Sequence, residues 1–384
     1  MTFIGLTWDH PRGYNALAET ARRINQQRAQ PLIQWNKQPL EGFESAPIAE
    51  LAERNDLLVM DHPHIGEAVA EGCFLPLEDL YPPELLEAWQ RDSIGPSAAS
   101  YRWDGRTWAL PLDVATQVMA RRADRISAPP ADWEGLVGVA ARLPVAQSLA
   151  GPHAVLSLMS MVAGTGASVG GEDFLPQAEA AAALETMQRL HALRPAGSEN
   201  LNPIALLETM ARSEDIALIP LVFGYVTYAA PGHAPRIVTF SDTIRASGGQ
   251  GGVIGGTGIA FSRRCRPTPE LLAHIASLLT ASTQIETFPA FGGQPSARAA
   301  WQDRGVNRKW GDFYRNTLAT AETALLRPRF DGYIAFQTAA SVRIRVALDE
   351  REDPETTLVA LRILWRRARQ RARGQLDDTE DDHD

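Results

Sequence analysis

The sequence predicts an α/β protein built as two lobes, and three observations carry that prediction. Its 384 residues exceed what one hydrophobic core organises, since domains run to about 100 to 200 residues. Short apolar runs alternate with stretches of helical periodicity, the pattern of a sheet covered by helices. No repeat with a period of about 20 to 50 residues is visible, which argues against a solenoid or a propeller.

The elements follow in order. Residues 3–7 are a short β-like run, and 14–27 carry Leu17, Ala18, Ala21 and Ile24 at helical spacing. A second strand is predicted over 31–35, a short helix over 46–53, and a near-continuous apolar strand of the buried parallel kind over 56–60. A helix over 65–71 precedes Cys73 to Leu77, whose Pro76 marks an edge or a loop. Aromatics flanking Asp104-Gly105 predict a hairpin, which leads through Pro111 into a long segment ending at Arg121, the first expected crossing between lobes. Asp132 is the expected N-cap of a helix reaching Leu143. Residues 152–219 are mostly helical, with 177–193 the clearest helix and 164–171 a glycine loop. An apolar strand over 216–222 follows. Residues 248–258 hold seven glycines and end in a strand at 259–262. A helix over 270–279 comes next, and the last 60 residues are helical up to an acidic tail at 377–384, expected to be disordered.

Composition narrows the function. Apolar residues make up 45% and charged residues 22%, as in ordinary globular proteins. The formal net charge of −9 disfavours nucleic acid and anionic membrane, both of which reward a basic surface. Cys73 and Cys265 are the only cysteines and lie outside any CxxC, so a redox dithiol and a zinc knuckle are excluded; they form one bridge or remain two buried thiols. No run of about 18 uncharged apolar residues exists to span a membrane. Residues 1–9 lack the basic, apolar and small-residue regions of an export signal. The expectation is therefore periplasmic if a signal has been removed and cytoplasmic if the chain is native as given.

Several blocks resemble the extracellular solute-binding proteins of ATP-driven sugar importers, the maltose-type family. Asp56-Leu57-Leu58-Val59-Met60-Asp61 followed by Gly72-Cys73-Phe74-Leu75-Pro76-Leu77-Glu78-Asp79-Leu80 is similar to the family's "D-hydrophobic-hydrophobic … G-x-L-x-P-L-x-D-L" block. Residues 101–111 with Asp113 and Arg121 resemble its "G-x-x-Y-A-L-P … Y-R" block, with Trp108 in place of tyrosine and Ala120 in place of the aromatic. Residues 182–187 are similar to the helix before the second hinge region, and 255–262 with 292–298 to the closing "G-G-x-x-hydrophobic-x-I-S … G-x-x-P-x-R" block. The resemblance covers nearly the whole chain. It implies the periplasmic-binding-protein type 2 fold, with a hinge and an interlobe ligand cleft. Lobe 1 is expected to span 1–111 and 258–300, and lobe 2 to span 112–257 and 301–376.

A sugar cleft needs aromatic faces for the apolar side of the ring and carboxylates, amides or guanidinium groups for its hydroxyls. Trp8, Asp9, His10, Arg12 and Tyr14 follow the first strand, Trp35 the second, and Asp61, His62 and His64 the third. Ligands sit at the carboxyl ends of parallel strands, so these three sets are expected to line one crevice. The alternative places Trp8 and Trp35 in the core and makes Asp9 and Asp61 caps. The resemblance adds Asp113 at the crossing, Phe223 and Tyr225 after the strand in lobe 2, and Gly255, Gly256 and Gly258 through backbone N–H groups.

The expected function is capture of a small polar, carbohydrate-like ligand by lobe closure near Asp113 and Gly256, for a monomer delivering to the membrane permease of an ABC-type importer, without catalysis, cofactor or metal. A sugar acid suits the histidines and Arg12 as well as a sugar does. Alternatives are a cytoplasmic metabolite sensor or accessory protein on the same fold, a metal enzyme using His10, His62, His64, Asp9 and Asp61, and a serine hydrolase using Ser168 in Gly166-Ala167-Ser168-Val169-Gly170. The serine motif follows a predicted helix where a nucleophile elbow needs a strand. The glycine run lacks the Gly-Lys-Ser/Thr ending of a phosphate loop. Arg362, Arg366, Arg367, Arg369, Arg371 and Arg373 read as the solvated face of a C-terminal helix.

Overall fold

The computed structural model describes residues 2–39, 42, 46–372 and 374. Its strands and longer helices begin with β1 (Phe3–Trp8), α1 (Pro11–Gln26), β2 (Ile33–Gln38), α2 (Ile48–Arg54), β3 (Leu57–Met60), α3 (Ile65–Ala70), α4 (Pro83–Asp92), β4 (Arg102–Trp103), β5 (Arg106–Thr107) and β6 (Leu110–Arg121). They continue with α5 (Trp133–Ala140), α6 (His153–Gly164), α7 (Gln177–Ala192), α8 (Pro203–Arg212), β7 (Leu218–Phe223), β8 (Thr239–Ser241), β9 (Ile254–Phe261), α9 (Pro269–Ser277), α10 (Tyr333–Glu350) and α11 (Pro354–Arg371).

The chain forms two compact units, the first from Met1–Ala115 and Gly255–Lys309, the second from Thr116–Ile254 and Trp310–Asp384. The divisions fall at 115/116, 254/255 and 309/310, where the sequence places them at 111/112, 257/258 and 300/301. The first two lie inside β6 and β9, which run unbroken through Pro111 and through the glycines. The third is displaced because the segment after Trp301 remains tied to the first unit. Lys309 Nζ donates to the carbonyls of Pro289 and Ala290 at 3.2 and 3.3 Å. The acidic tail lies outside the described residues.

In the first unit β1 pairs in parallel with β2 and with β3, and β3 pairs antiparallel with β9. Alternate residues of β3 enter opposite cores. Leu57 and Val59 pack with Phe3, Leu17, Ile33, Ile259 and Leu271, while Leu58 and Met60 pack with Leu6, Phe74, Tyr101 and Ala260. Burial on both faces explains why the strand reads as a continuous apolar run. Asp104 and Gly105, both at positive φ, close the β4–β5 hairpin as a tight turn requires. Cys73 and Cys265 are free, buried and assigned to the two different cores.

In the second unit β6 pairs antiparallel with β7 and with β8. Helices α6, α7, α10 and α11 share one core through Leu158, Met159, Leu184, Met187, Phe336, Ile344, Leu361 and Trp365. Asp132 caps α5, its Oδ1 accepting from Gly135 N at 2.7 Å. The glycine run serves backbone contact: a Cβ at Gly249 would lie 2.1 Å from Gly164 O, and one at Gly252 2.1 Å from Gln117 O. Ser168 sits in the loop after α6. The basic residues of α11 bind their surroundings: Arg362 donates to Gln177, Arg366 pairs with Asp173 at 2.6 Å, and Arg369 lies over the Trp365 ring. Arg373 is outside the described residues.

Candidate functional site

The first unit gathers a polar rim where its parallel strands end. Register sets Thr7 beside Lys37 and Trp8 beside Gln38, and Asp9 N donates to Gln38 O at 2.7 Å, so Asp9 and Lys37 leave the sheet together. Their side chains pair at 2.7 Å, and Lys37 Nζ lies 4.9 Å from the centre of the Tyr14 ring. The Asp9 carboxylate holds the Lys37 ammonium above its ordinary pKa. Leu6 pairs with Leu58, so Asp61 follows β3 at the level where Asp9 follows β1.

His10 is the N-cap of α1, which begins at Pro11 and so three residues before the predicted start. Its Nδ1 accepts from Arg12 N at 3.1 Å, which leaves Nε2 as the protonated nitrogen of a neutral imidazole. The ring stacks on Trp8 with centroids 4.9 Å apart and planes 7° from parallel. Trp8 itself is 3% exposed, wedged against Gly13, where any Cβ would sit 2.0 Å from the indole nitrogen. It therefore supports His10 from beneath and does not offer its own face.

Arg12 is turned inward. Its Nε donates to Asp113 at 2.9 and 3.1 Å and its Nη2 pairs with the same carboxylate, while Asp113 Oδ2 also accepts from Gln294 N. The two side chains are 5% and 3% exposed. This bidentate pair fastens α1 to β6, so the geometry gives Arg12 and Asp113 an anchoring duty in place of the expected ligand contact.

Asp61 caps the single helical turn His62–His64, accepting from His62 N at 2.9 Å and lying 3.1 Å from His62 Nδ1. It keeps 20% of its side-chain exposure. His62 and His64 are buried; His62 meets Tyr101 edge-on, and Tyr101 donates to Met60 O. Among the described residues no three imidazole, thiolate or carboxylate groups come together as a metal would need.

Two further expectations are corrected by position. Trp35 does not end its strand: β2 continues to Gln38, and Ile33 and Trp35 alternate inward into the core. Gly255 is buried within β9, and Gly256 sits at φ +108° with its α-carbon so close to β6 that a Cβ would meet Asp113 O at 2.2 Å. These glycines permit strand contact where exposed N–H groups were expected. In the second unit Phe223 is half-buried at the end of β7, edge-on to His153, and Tyr225 is 6% exposed.

The rim of the first unit thus consists of Asp9, His10, Tyr14, Lys37 and Asp61. Lys37 and the supporting Gly13 were missed. The signal for Lys37 was the polar alternation of Gln34 and Asn36, which carries the strand past Trp35.

Residues 33–196 match the family of bacterial extracellular solute-binding proteins. An ABC transporter solute-binding protein from Agrobacterium radiobacter in complex with ribitol superposes with a TM-score of 0.79 at 20% identity, covering 96% of this chain and 98% of its own. The chain has the fold of a solute-binding protein. Maltose-bound MalE3 of T. maritima gives 0.77 at 16% identity over 95% and 99% of the two chains. A solute-binding protein from Agrobacterium vitis with bound D-mannitol gives 0.74 at 14% over 97% and 99%. The matching family and these neighbours are binding proteins. No helix among the described residues is long and apolar enough to cross a membrane.

Proposed function

We propose that the protein captures an uncharged polyhydroxy ligand, a sugar or a polyol, for the membrane permease of an ABC-type importer. The observation that carries the choice of ligand is how charge is spent at the rim. Arg12, which was expected to suit an acid, is committed to Asp113, and Lys37 is committed to Asp9. The rim brings together the carboxylates of Asp9 and Asp61, the His10 imidazole and the Tyr14 hydroxyl. Acceptors and donors side by side suit vicinal hydroxyls, and the His10 and Tyr14 rings supply apolar faces. A sugar acid would bring its charge to a rim whose cations are already paired and which carries the further carboxylate of Asp61.

The family match and the liganded neighbours support the same reading. Capture by closure of the second unit, delivery to a permease, work outside the cytoplasm and the absence of catalysis belong to this proposal. Calorimetric titration with ribitol, D-mannitol and maltose is expected to give a dissociation constant of about micromolar or tighter for at least one. The corresponding aldonic acids are expected to bind at least about tenfold more weakly, since an added carboxylate meets like charge. Asp61→Asn is expected to weaken the neutral ligand. Silence with all neutral polyols and sugars, or preference for the acid, overturns the proposal.

A further inference from the structure

The last residue of β6 carries a charge with no counterpart among the described residues. Arg121 ends that strand and is 8% exposed. Its Nε donates to Ile126 O at 3.2 Å, while its Nη1 is buried and without a hydrogen-bonding partner among the described residues. Burial pulls its pKa down, and no carboxylate among the described residues opposes that effect. The adjacent Arg122 shows what a satisfied guanidinium looks like here: it is paired with Asp124 and approaches Glu214 at 3.5 Å. Arginine cannot shed its proton, so a buried guanidinium normally has an anion beside it.

Ile126, the residue whose carbonyl Arg121 holds, is a wall of a pocket of about 410 Å³. Val139 and Leu143 form apolar walls, and Arg125, Arg142 and Ser127 supply the polar lining. Arg125 donates to Glu214 O at 2.8 Å and pairs with the Glu214 carboxylate at 3.4 Å, and Arg142 donates to Gly138 O at 3.2 Å. Each guanidinium has five N–H donors, so these bonds leave further donors for a ligand. No acidic residue lines the cavity. Met119, on the same face of β6 as Arg121, belongs with Ile126 to one hydrophobic cluster, against which Val139 and Leu143 pack, so Arg121 backs the same wall.

We infer that this pocket of the second unit is a binding site for a small oxyanion, a phosphate or a carboxylate, seated between Arg125, Arg142 and Ser127 with Arg121 behind it. Planar guanidinium groups match the paired oxygens of such anions. The site lies apart from the rim of Asp9 and Asp61 in sequence and in unit, and it does not depend on the ligand proposed there.

The test is calorimetry and thermal unfolding of the full chain with inorganic phosphate, sulfate and citrate, at ionic strength held constant with chloride. Heat and a raised Tm with phosphate and sulfate alone identify a tetrahedral anion; the same response to citrate identifies an organic acid. Equal behaviour in all three salts and chloride overturns the inference. Arg121→Met keeps the stem and removes the charge, and is expected to weaken anion binding by about tenfold or more. In chloride the variant should be at least as stable as the parent, because an unpaired buried charge has been removed, and its polyol binding should be unchanged. A folded Arg121→Met that binds phosphate like the parent excludes Arg121 from the site and overturns the assignment. Should that variant fail to fold, the surface pair Arg125→Met and Arg142→Met carries the test, with unaltered phosphate binding as the refuting result.

Discussion

At His274, on α9, burial removes the water that would stabilise an imidazolium and lowers the pKa from 6.5 to about 4. The ring is 6% exposed and its Nε2 has no hydrogen-bonding partner among the described residues. The unfolded chain therefore binds a proton that the folded one refuses between those two values. Stability from this residue is complete above pH 6.5 and declines as pH falls towards 4, by up to about 3 kcal/mol. Urea unfolding at pH 7.5 and pH 4.5 is expected to show a smaller acid loss in His274→Leu than in the parent; identical losses would mean the ring is solvated. The same scale shows what could be read from sequence about the candidate site. Residue types and strand ends brought Asp9, His10, Tyr14 and Asp61 to one rim. Partners were not legible: Arg12 and Asp113 stand 101 positions apart, and nothing local to either announces a bidentate pair. Trp8 and Trp35 carry the same side chain that a sugar platform would use, and only packing against neighbouring glycines reveals that they are buried.

Elements separate strain from collision at two glycines. Gly166 and Gly256 both have positive φ, 93° and 108°, yet a Cβ on Gly166 meets nothing within 4 Å while one on Gly256 meets Asp113 O at 2.2 Å. Gly166→Ala is expected to cost about 1 kcal/mol in urea unfolding, the penalty for the backbone region alone. Gly256→Ala is expected to cost about 3 kcal/mol or more, because β6 must also move away from β9. Equal costs would show that the two strands part easily. Helices with apolar spacing, such as α7, and the doubly buried β3 were legible within a few residues. The far half of β2 and the start of β9 were not, since polar and glycine residues join those strands only because a neighbouring strand, β1 for β2 and β6 for the start of β9, supplies the hydrogen-bond ladder.

Across the whole molecule the two lobes were legible from length and alternation, whereas their limits were not, because the chain changes unit within β6 and within β9 without a turn or a linker to mark the place. That arrangement has a consequence for biosynthesis. The strand Leu57–Met60 receives its antiparallel partner only when Gly258–Phe261 has been made, about 200 residues later. At about 5 to 20 residues per second the nascent chain waits about 10 to 40 s with that apolar strand open along one edge. A chain stopped at Ile254, which also lacks α10 and α11, is expected to aggregate or to stay bound to chaperones, and a separately supplied 255–384 segment to rescue its solubility where a 310–384 segment does not. A soluble monomer from the stopped chain alone would show that the edge protects itself. The two units are thus interleaved in translation, the first waiting for residues 255–309 and the second for residues 310–384.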